Sequence, residues 1–304
     1  MKKVCLVIVT YNRLDCLQKA VMAARHETEA DILVVDNAST DGTQEWLQRE
    51  SQINILELPT NTGGAGGFAA GMRWAYEKGY EWIWVMDDDV VVLPGSLSKL
   101  LDYGKIAPSI QPSKLDAKGR VFEFEGILHP KSFRRSRLPH CRVFKDKNWV
   151  DCTTANFEGM FLHRQIIETI GYPRSDFFLA WDDAYYGWLV SRRFKNIYIK
   201  DFCIQKQFDK NRAVIGGKRL FSSSFFGRYF HLRNFMRVIR LEHLGPRAYF
   251  QYAYEWLKAF ALTLLLDKKC RDLKWLFTAA KVGWRRDDLA ENTQAFLNRP
   301  CTSH

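Results

Sequence analysis

The first ninety residues alternate short apolar segments with helical patterns, and this alternation constrains the fold more than any other feature of the sequence. The apolar segments are residues 4–9, 32–35, 53–58 and 82–86, and the helical patterns are residues 15–25, 43–50 and 67–79. Strands that alternate with helices of about a dozen residues are typical of parallel sheets, because each helix carries the chain back across the sheet. The sequence therefore predicts an α/β fold with a mostly parallel sheet.

Polar residues follow three of the predicted strands at the point where each strand ends. Thr10, Tyr11 and Arg13 follow the first strand, Asp36 follows the second, and three aspartates at 87–89 follow the fourth. In open α/β sheets, ligands bind beyond the carboxyl ends of the strands. We therefore expect these side chains to converge on one binding site.

The three consecutive carboxylates of Asp87, Asp88 and Asp89 repel one another unless a cation or solvent compensates them. A hard divalent cation, Mn²⁺ or Mg²⁺, offsets this repulsion and can bridge to a diphosphate. Asp87 and Asp89 point to the same side of an extended segment. We predict a metal site at Asp87 and Asp89; a solvated acidic turn is the alternative.

A glycine-rich segment, residues 61–68, leads into the third predicted helix. Its glycines Gly63, Gly64, Gly66 and Gly67 allow the backbone to approach a ligand closely, and a helix N-terminus attracts phosphate. The Lys-Ser/Thr ending of a Walker A loop is absent from the segment. The segment thus predicts a phosphate-binding turn of another kind.

A second carboxylate pair, Asp182 and Asp183, follows Trp181 at the start of a predicted helix. An indole offers a flat apolar face to a sugar ring, and a carboxylate beside it can deprotonate a hydroxyl group. Aspartate is also common at helix N-termini. The alternative is therefore a helix cap beside a buried tryptophan.

Charge is distributed unevenly along the 304 residues, whose formal net charge is +11. Residues 191–304 carry a balance of +14 and residues 1–190 a balance of −3, so the basic half favours a polyanion or an anionic membrane surface. Seven scattered cysteines without a CxxC pair argue against a zinc ribbon and favour the reducing cytoplasm. The apolar run at residues 4–9 is shorter than that of a signal peptide and predicts a buried strand.

Taken together, the motifs resemble those of the family-2 inverting glycosyltransferases, which have the GT-A nucleotide-sugar fold. The motifs are VIVTYNR at residues 7–13, VVDNASTDGT at 34–43, MDDDV at 86–90 and WDD at 181–183. The segments NTGGAGGF at 61–68 and FLAWDDA at 178–184 are similar to bacterial galactofuranosyltransferases, of which rhamnosyltransferases are close relatives. The resemblance covers roughly residues 3–234.

This resemblance implies two groups of site residues. The expected donor-binding residues are Thr10, Tyr11, Arg13, Asp36 on the uracil, Gly63, Gly64, Gly66, Gly67, Asp87 and Asp88, with Asp87 and Asp89 on the metal. The expected acceptor side has Asp183 as general base, Asp182 and Trp181 holding the acceptor, and Glu158 as a hydroxyl partner. The implied domains are a GT-A domain over residues 1–220, divided near residue 104 into nucleotide-sugar and acceptor halves, and a helical basic region over 221–304.

Two positions depart from the family pattern. Many relatives have a metal-ligating histidine about two dozen residues after the base, where this chain has Lys206 within CIQKQ. Lys206 would then assist the diphosphate leaving group, or the metal would be bound more weakly. The galactofuranosyl branch often has glutamate two residues after the base, where this chain has Tyr185.

The expected function is transfer of galactofuranose from UDP-galactofuranose to a glycan or lipid-linked glycan in cell-surface polysaccharide synthesis, such as that of O-antigen. The alternatives are a rhamnosyltransferase that uses dTDP-rhamnose and, more remotely, a nucleotidyltransferase. A nucleic-acid binder is disfavoured, because the acidic clusters would repel phosphate. A homo-oligomer is left open.

We expect the chain in the cytoplasm, peripheral on the cytoplasmic face of the inner membrane. An amphipathic helix over residues 246–266 would present Tyr249, Tyr252, Trp256 and Phe260 to an anionic leaflet. The neighbouring basic residues are Lys258, Lys268, Lys269 and Arg271. The alternative is an aromatic helix packed on the protein itself or on a second subunit.

Overall fold

A computed structural model describes residues 3–208, 213–215, 218–220, 224–267, 272–285 and 289–298. The chain divides into two compact units. The first unit comprises Met1–Leu128, Arg135–Ser175 and Asp182–Lys210, and the second comprises His129–Arg134, Asp176–Trp181 and Asn211–His304. The second unit thus takes in two short segments that precede the boundary expected near residue 220.

The first unit contains alternating strands and helices. Its strands are β1 (Val4–Thr10), β2 (Asp31–Asp36), β3 (Asn54–Glu57), β4 (Trp82–Asp87), β5 (Val90–Val92), β6 (Ser109–Leu115), β7 (Val121–Phe122), β8 (Gly126–Leu128), β9 (Arg135–Arg137), β10 (Trp149–Asp151), β11 (Phe161–His163) and β12 (Asn196–Lys206). Its helices are α1 (Leu14–Glu27), α2 (Thr43–Leu47), α3 (Gly63–Glu77), α4 (Ser96–Tyr103), α5 (His140–Val143), α6 (Gln165–Ile170) and α7 (Asp182–Ser191), and a 3₁₀ turn spans Ser175–Phe177.

Within residues 3–208, one mixed sheet has the order β10-β12-β6-β11-β4-β1-β2-β3, with β5 paired to β12 and β7 to β6. Strands β3, β2, β1 and β4 are parallel, as predicted. Beyond β4 the sheet is mixed, because β11 runs antiparallel to both β4 and β6. The carboxyl ends of β1, β2 and β4 meet at one edge, as expected for the binding site.

Two apolar layers cover the sheet. One contains Leu6, Ile8 and Val34 against α1, and the other contains Val7, Val35 and residues of α3. The apolar pattern of the first ninety residues therefore predicts the core correctly. The apolar pattern does not predict β6, which lies in the middle of the sheet.

The second unit is mainly helical. It contains a hairpin of β13 (Ala213–Ile215) and β14 (Lys218–Leu220), the helices α8 (Phe225–Leu241), α9 (Pro246–Leu262), α10 (Leu273–Trp284) and α11 (Leu289–Leu297), and a π-helical segment at Thr263–Asp267. Helix α8 is buried along most of its length, with Tyr229 stacked on Phe296 of α11 at 3.6 Å between ring centroids. Within the described ranges, no helix has both the length and the apolar character needed to cross a bilayer.

The predicted outward face of α9 is wrong. Tyr252 is buried, and Trp256 packs against Phe277 of α10 at 4.9 Å between ring centroids and donates a hydrogen bond to Leu276 O at 3.3 Å. Apolar residues surround most of α9, so the sequence alone does not show which side packs inward. Lys268, Lys269 and Arg271 lie outside the described residues.

Candidate active site

The loops after β1 and β4 meet through their side chains. Thr10 Oγ1 donates a hydrogen bond to Asp88 Oδ2 at 2.7 Å, and Arg13 Nη1 lies 3.2 Å from Asp88 Oδ1 and 3.1 Å from Asp89 Oδ2. Burial raises the pKa of Asp88 to about 6, against the opposing effects of Thr10 and Arg13. These four predicted residues therefore form one cluster, while Tyr11 is exposed beside them.

Three carboxylates in this cluster are arranged to suit a metal ion. Asp87, Asp89 and Glu158 each offer one oxygen, and these oxygens lie within 4.8 Å of one another. Asp89 Oδ1 is buried and has no hydrogen-bond partner among the described residues. Mg²⁺ and Mn²⁺ prefer carboxylate oxygens as ligands, and Asp89 Oδ1 is a carboxylate oxygen with an unused lone pair. Glu158, expected on the acceptor side, lies with the metal cluster, and its acceptor role stays a prediction.

Lys206 places an ammonium group against the same cluster. Its Nζ donates to Glu158 Oε1 at 2.6 Å, and the side chain is almost completely buried at the end of β12. Burial alone would lower the pKa of Lys206, but Glu158, Asp89 and Asp87 raise it above its usual value. A fixed positive charge therefore stands where the family pattern has a histidine.

Asp36 ends β2 and is fully buried. Its carboxylate accepts hydrogen bonds from Ser39 N at 3.2 Å and from Gln44 Nε2 at 3.0 Å. The side chain thus stabilises the loop that follows β2. Its bond to a nucleobase stays a prediction.

Residues 63–67 form the start of α3, whereas the sequence predicted a turn before a helix that begins at residue 67. Asn37 holds this turn, because its Nδ2 donates to Gly63 O at 2.9 Å and its Oδ1 accepts from Thr62 N at 2.8 Å. Gly63 has a φ of +71°, a conformation that favours glycine. The asparagine that follows Asp36 is therefore a positioning residue that the sequence analysis missed.

Close packing explains two other glycines. A Cβ built on Gly66 would lie 2.2 Å from Thr62 Oγ1, and one on Gly67 would lie 2.5 Å from Val9 Cγ1. Gly64 has open space around the same position. The Thr62 side chain therefore accounts for Gly66, and packing of α3 against β1 accounts for Gly67, in both cases without a ligand. Contact between these glycines and a donor stays a prediction.

Asp182 and Asp183 begin α7 in the first unit. Asp183 Oδ1 accepts a hydrogen bond from Ala184 N at 2.6 Å. Burial raises the pKa of both carboxyls, and repulsion from Asp183 raises that of Asp182 further. The positive charges of Arg135 and Lys114 oppose the rise in the pKa of Asp183. Asp183 is therefore the more readily ionised of the two, which favours it as the base.

A single short segment joins the surroundings of Lys206 to those of Asp183. Lys206 Nζ lies 4.8 Å from the centroid of the Phe122 ring, which stacks with Phe124 at 6.5 Å between centroids. Glu125 follows Phe124 directly, and its charge acts on Asp183. Residues 122–125 thus have Phe122 near Lys206 at one end and, at the other, Glu125, whose charge raises the pKa of Asp183.

Trp181 belongs to the second unit, where its ring stacks on Phe235 at 4.6 Å between centroids. The loop before it has positive φ angles at Phe178, Ala180 and Trp181. Asn234 Nδ2 stabilises this loop by donating to the carbonyl oxygens of residues 177, 179 and 180 at 2.8–2.9 Å. The acceptor role of Trp181 stays a prediction, and Asn234 is a positioning residue that no pattern in the sequence indicated.

Known proteins share these features. The family model described as "Glycosyl transferase family 2" matches residues 5–156. An undecaprenyl-phosphate mannosyltransferase of Micrococcus luteus is 30% identical over 156 residues, which are 50% of this chain and 63% of that protein. Galactofuranosyltransferase GlfT2 of Mycobacterium tuberculosis is 27% identical over 231 residues, which are 65% of this chain and 33% of that protein. The chain thus spans less than two thirds of these relatives.

A solved structure shares the fold over nearly the whole chain. S. aureus TarS 1–349 in complex with UDP-GlcNAc superposes with a TM-score of 0.57 at 12% identity, covering 97% of this chain and 92% of TarS 1–349. The mixed α/β sheet followed by helices is the GT-A fold that the motifs predicted. Because the family model covers half of its length, this chain belongs to glycosyl transferase family 2.

Proposed function

We propose that this protein is an inverting glycosyltransferase that moves a sugar from a nucleotide diphosphate to an acceptor hydroxyl. The main support is the arrangement of two carboxylate clusters within one unit, the first at the strand ends and the second at the start of α7. The first cluster has the ligands for a metal and a fixed ammonium group. The second offers a base with a raised pKa.

The strand-end cluster suits a diphosphate that carries a metal ion. Its four carboxylates, at residues 87–89 and 158, face two cations, Arg13 and Lys206, which leaves a formal charge of −2. Asp87, Asp89 and Glu158 would hold Mn²⁺ or Mg²⁺, which when bound would neutralise the charge that develops on the departing diphosphate. Lys206 would stabilise the same charge from its buried position.

Asp183 would take the proton from the acceptor hydroxyl. In one displacement, the acceptor oxygen forms a bond to the anomeric carbon while the bond to the diphosphate oxygen breaks. The attack on the face opposite the leaving group inverts the anomeric centre and requires no covalent enzyme intermediate. Asp182, the less readily ionised carboxyl, would hold the acceptor through hydrogen bonds.

For the donor we propose UDP-galactofuranose, with dTDP-rhamnose as the alternative. The glycine-rich and FLAWDDA segments support galactofuranose, as does similarity to a protein named galactofuranosyltransferase. For the acceptor we propose a glycan or lipid-linked glycan in cell-surface polysaccharide synthesis. The similarity to an undecaprenyl-phosphate mannosyltransferase supports a lipid-linked acceptor. The family assignment gives no support to a nucleotidyltransferase.

A donor hydrolysis screen tests the proposal. Purified protein is incubated with UDP-galactofuranose, dTDP-rhamnose and UDP-GlcNAc, with Mn²⁺ or Mg²⁺ and with excess chelator. We expect metal-dependent release of UDP from UDP-galactofuranose and its loss in Asp89→Ala. Asp102→Ala, which removes an exposed carboxylate paired with Lys105, is the matched control and should leave the release unchanged. Release that persists in chelator would contradict the metal role, and no release from any donor would contradict the enzyme function.

We also propose that the protein works from the cytoplasm, bound peripherally to an anionic membrane. The support is a face of α9 and α10 in the second unit that carries large exposed apolar side chains. On α9 these are Phe250, at 76% exposure, Tyr254 and Leu257, and on α10 they are Phe277 and Trp284. Such a surface is uncommon on a protein that binds nothing there.

The charges around this face favour lipid over a second copy of the chain. The exposed charged residues of α9 and α10 are Arg247, Lys258, Lys274 and Lys281, all of them basic, while Glu255 is half-buried. Two copies joined through this face would bring positive charges together, whereas anionic headgroups complement them. We therefore assign the face to an anionic leaflet.

A further inference from the structure

A group of buried charges near Asp183 lacks the hydrogen bonds that such groups normally make. Lys114 Nζ lies 3.0 Å from Glu125 Oε1, and these side chains are 2% and 1% exposed. The pair has ion-pair distance without hydrogen-bond geometry, because neither Lys114 Nζ nor either Glu125 oxygen has a hydrogen-bond partner among the described residues. Unmade hydrogen bonds on buried charges are rare and destabilise a fold.

Arg135 completes the group. Its guanidinium lies over the Phe124 ring at 3.8 Å, and one of its terminal nitrogens donates to Phe124 O. Its Nε has no hydrogen-bond partner in the described part of the chain. Arg135, Lys114 and Glu125 all act on the charge of Asp183. These three side chains, which we call the Lys114 group, are therefore near enough for their charges to act on the candidate base, and they have unused donors and acceptors.

From this arrangement we infer that the Lys114 group is a subsite for the hydroxyl groups of the acceptor sugar, adjoining the hydroxyl that Asp183 deprotonates. Glu125 would accept from one hydroxyl, while Lys114 and Arg135 would donate to its oxygen or to a neighbouring one. This inference rests on the proposed glycosyl transfer and adds acceptor specificity to it.

The Lys114 group contains charges of both signs, and this mixture favours a neutral ligand. The group has two cations, Lys114 and Arg135, and its charges act together with two carboxylates, Glu125 and Asp183. Glu125 would repel an anionic ligand, and the two cations would repel a cationic one. A neutral polyol satisfies both signs at once, because each hydroxyl donates and accepts. Hydroxyl groups bound to buried charges also discriminate strongly, since an analogue that lacks one leaves the charge unpaired.

The test compares transfer with donor hydrolysis in the same variants. The probes are octyl glycosides of galactose, glucose and mannose and their monodeoxy analogues, with UDP-galactofuranose as donor. The variants are Glu125→Gln and the double variant Lys114→Met/Glu125→Leu, which removes the whole buried pair and thereby avoids an unpaired buried charge. Arg120→Ala is the matched control, because Arg120 is an exposed residue that pairs with Asp116 on the same hairpin.

For the wild type we expect that removing one hydroxyl from the probe raises its KM by about tenfold or more. The variants should raise the KM of the parent glycoside to a similar extent and no longer distinguish the deoxy analogue. Donor KM and the melting temperature of the double variant should stay near wild-type values, and donor hydrolysis without acceptor should fall much less than transfer. Absence of donor hydrolysis in the wild type would refute the proposed function itself.

Three results would overturn the subsite while leaving the transferase intact. One is an unchanged acceptor KM in both variants. The second is an equal loss of donor hydrolysis and transfer, which would show that Lys114 and Glu125 stabilise the fold and do not bind the acceptor. The third is a wild type that accepts every monodeoxy analogue as well as its parent.

Discussion

Asp182 and Asp183 are adjacent in sequence but have different electrostatic surroundings. Burial raises the pKa of each, and Arg135 and Lys114 oppose this rise at Asp183 by stabilising its ionised form. Pairs of carboxyls whose surroundings separate their pKa values are typical of acid–base sites. The WDD motif shows where the pair lies, but only the fold shows which cations approach it.

At this scale we predict that Asp183→Asn lowers turnover by about a hundredfold or more, because the amide keeps the shape and cannot accept the proton. In the wild type, transfer should fall as the pH drops through the pKa of Asp183, which is raised to about 6. Below that pH the carboxyl is protonated and cannot act as a base. The measurement is the pH dependence of kcat together with donor affinity, which should stay unchanged. If Asp182→Asn is inactive and Asp183→Asn is active, the base is the other carboxyl.

A second prediction concerns Asn234, whose amide holds three carbonyl oxygens of the loop that leads into α7. Asn234→Asp has the same shape but cannot donate, and its charge repels the carbonyl dipoles. We expect turnover to fall by about tenfold to a hundredfold, because the chain that enters α7 loses its support. Asn234→Asp should leave donor hydrolysis less affected than transfer, whereas equal losses would show a general effect on the fold.

At the scale of elements, a glycine without a side chain allows α3 to pack closely against β1. Gly67 lies directly against Val9, and the helix begins two residues after Asn61, whose side chain accepts from Gly63 N at 2.8 Å. The segment NTGGAGGF therefore encodes a close helix–strand contact as well as a turn. A glycine-rich sequence alone does not distinguish these uses, since both require the absence of a Cβ.

Gly67→Ala and Gly64→Ala form a matched pair that tests this contact. Both replace glycine near the start of α3, but only the first places a methyl group 2.5 Å from a Val9 carbon atom. We expect Gly67→Ala to lower the free energy of unfolding by about 1–3 kcal/mol through overpacking. Gly64→Ala should leave it unchanged or raise it by about 0.5–1 kcal/mol. Urea denaturation measures both, and equal effects would contradict the packing argument.

How much of the fold the sequence predicts depends on the element. The strands β1, β2 and β4 are apolar and buried along nearly their whole length, so their apolar pattern is sufficient to predict them. Strand β6 is buried with polar side chains, and Ser109 and Ser113 find partners in Asn196 Oδ1 and Ile199 O across to β12. These partners lie more than eighty residues away, so no local pattern could indicate a strand. Lys114 and Glu125 lie 69 and 58 residues before Asp183, so the sequence alone did not connect them with the site.

At the scale of the whole molecule, charge and exposed apolar surface coincide in the helical region. The balance of +14 in residues 191–304 indicates an anionic partner, but the sequence analysis assigned the wrong face of α9 to it. The exposed face carries Phe250 and Leu257, while Tyr252 packs inward. Composition alone predicts an anionic partner. The face of α9 that is exposed to this partner depends on which side of the helix contacts α8 and α10, and composition does not show that.

We predict binding to vesicles of phosphatidylcholine with a quarter phosphatidylglycerol, little binding to phosphatidylcholine alone, and release at high salt. Each basic residue near an anionic surface contributes about 1 kcal/mol, and salt screens this attraction. Phe250→Ser/Leu257→Ser should weaken binding in flotation assays. Met22→Ser, which removes an exposed apolar side chain of α1, should not. Equal binding to both vesicle types, or a dimer that the double variant converts to a monomer in light scattering, would contradict the assignment.

The contact of Gly67 with Val9 also limits which parts of the first unit can move when a ligand enters. Helix α3 already contacts β1 at Gly67. These two elements cannot move closer together when a ligand binds, because packed interiors resist compression. Any closure over a bound donor must then come from elements of the first unit other than α3 and β1. Gly67 thus makes the contact between α3 and β1 a rigid part of the site, and adaptation to different acceptors must come from other elements.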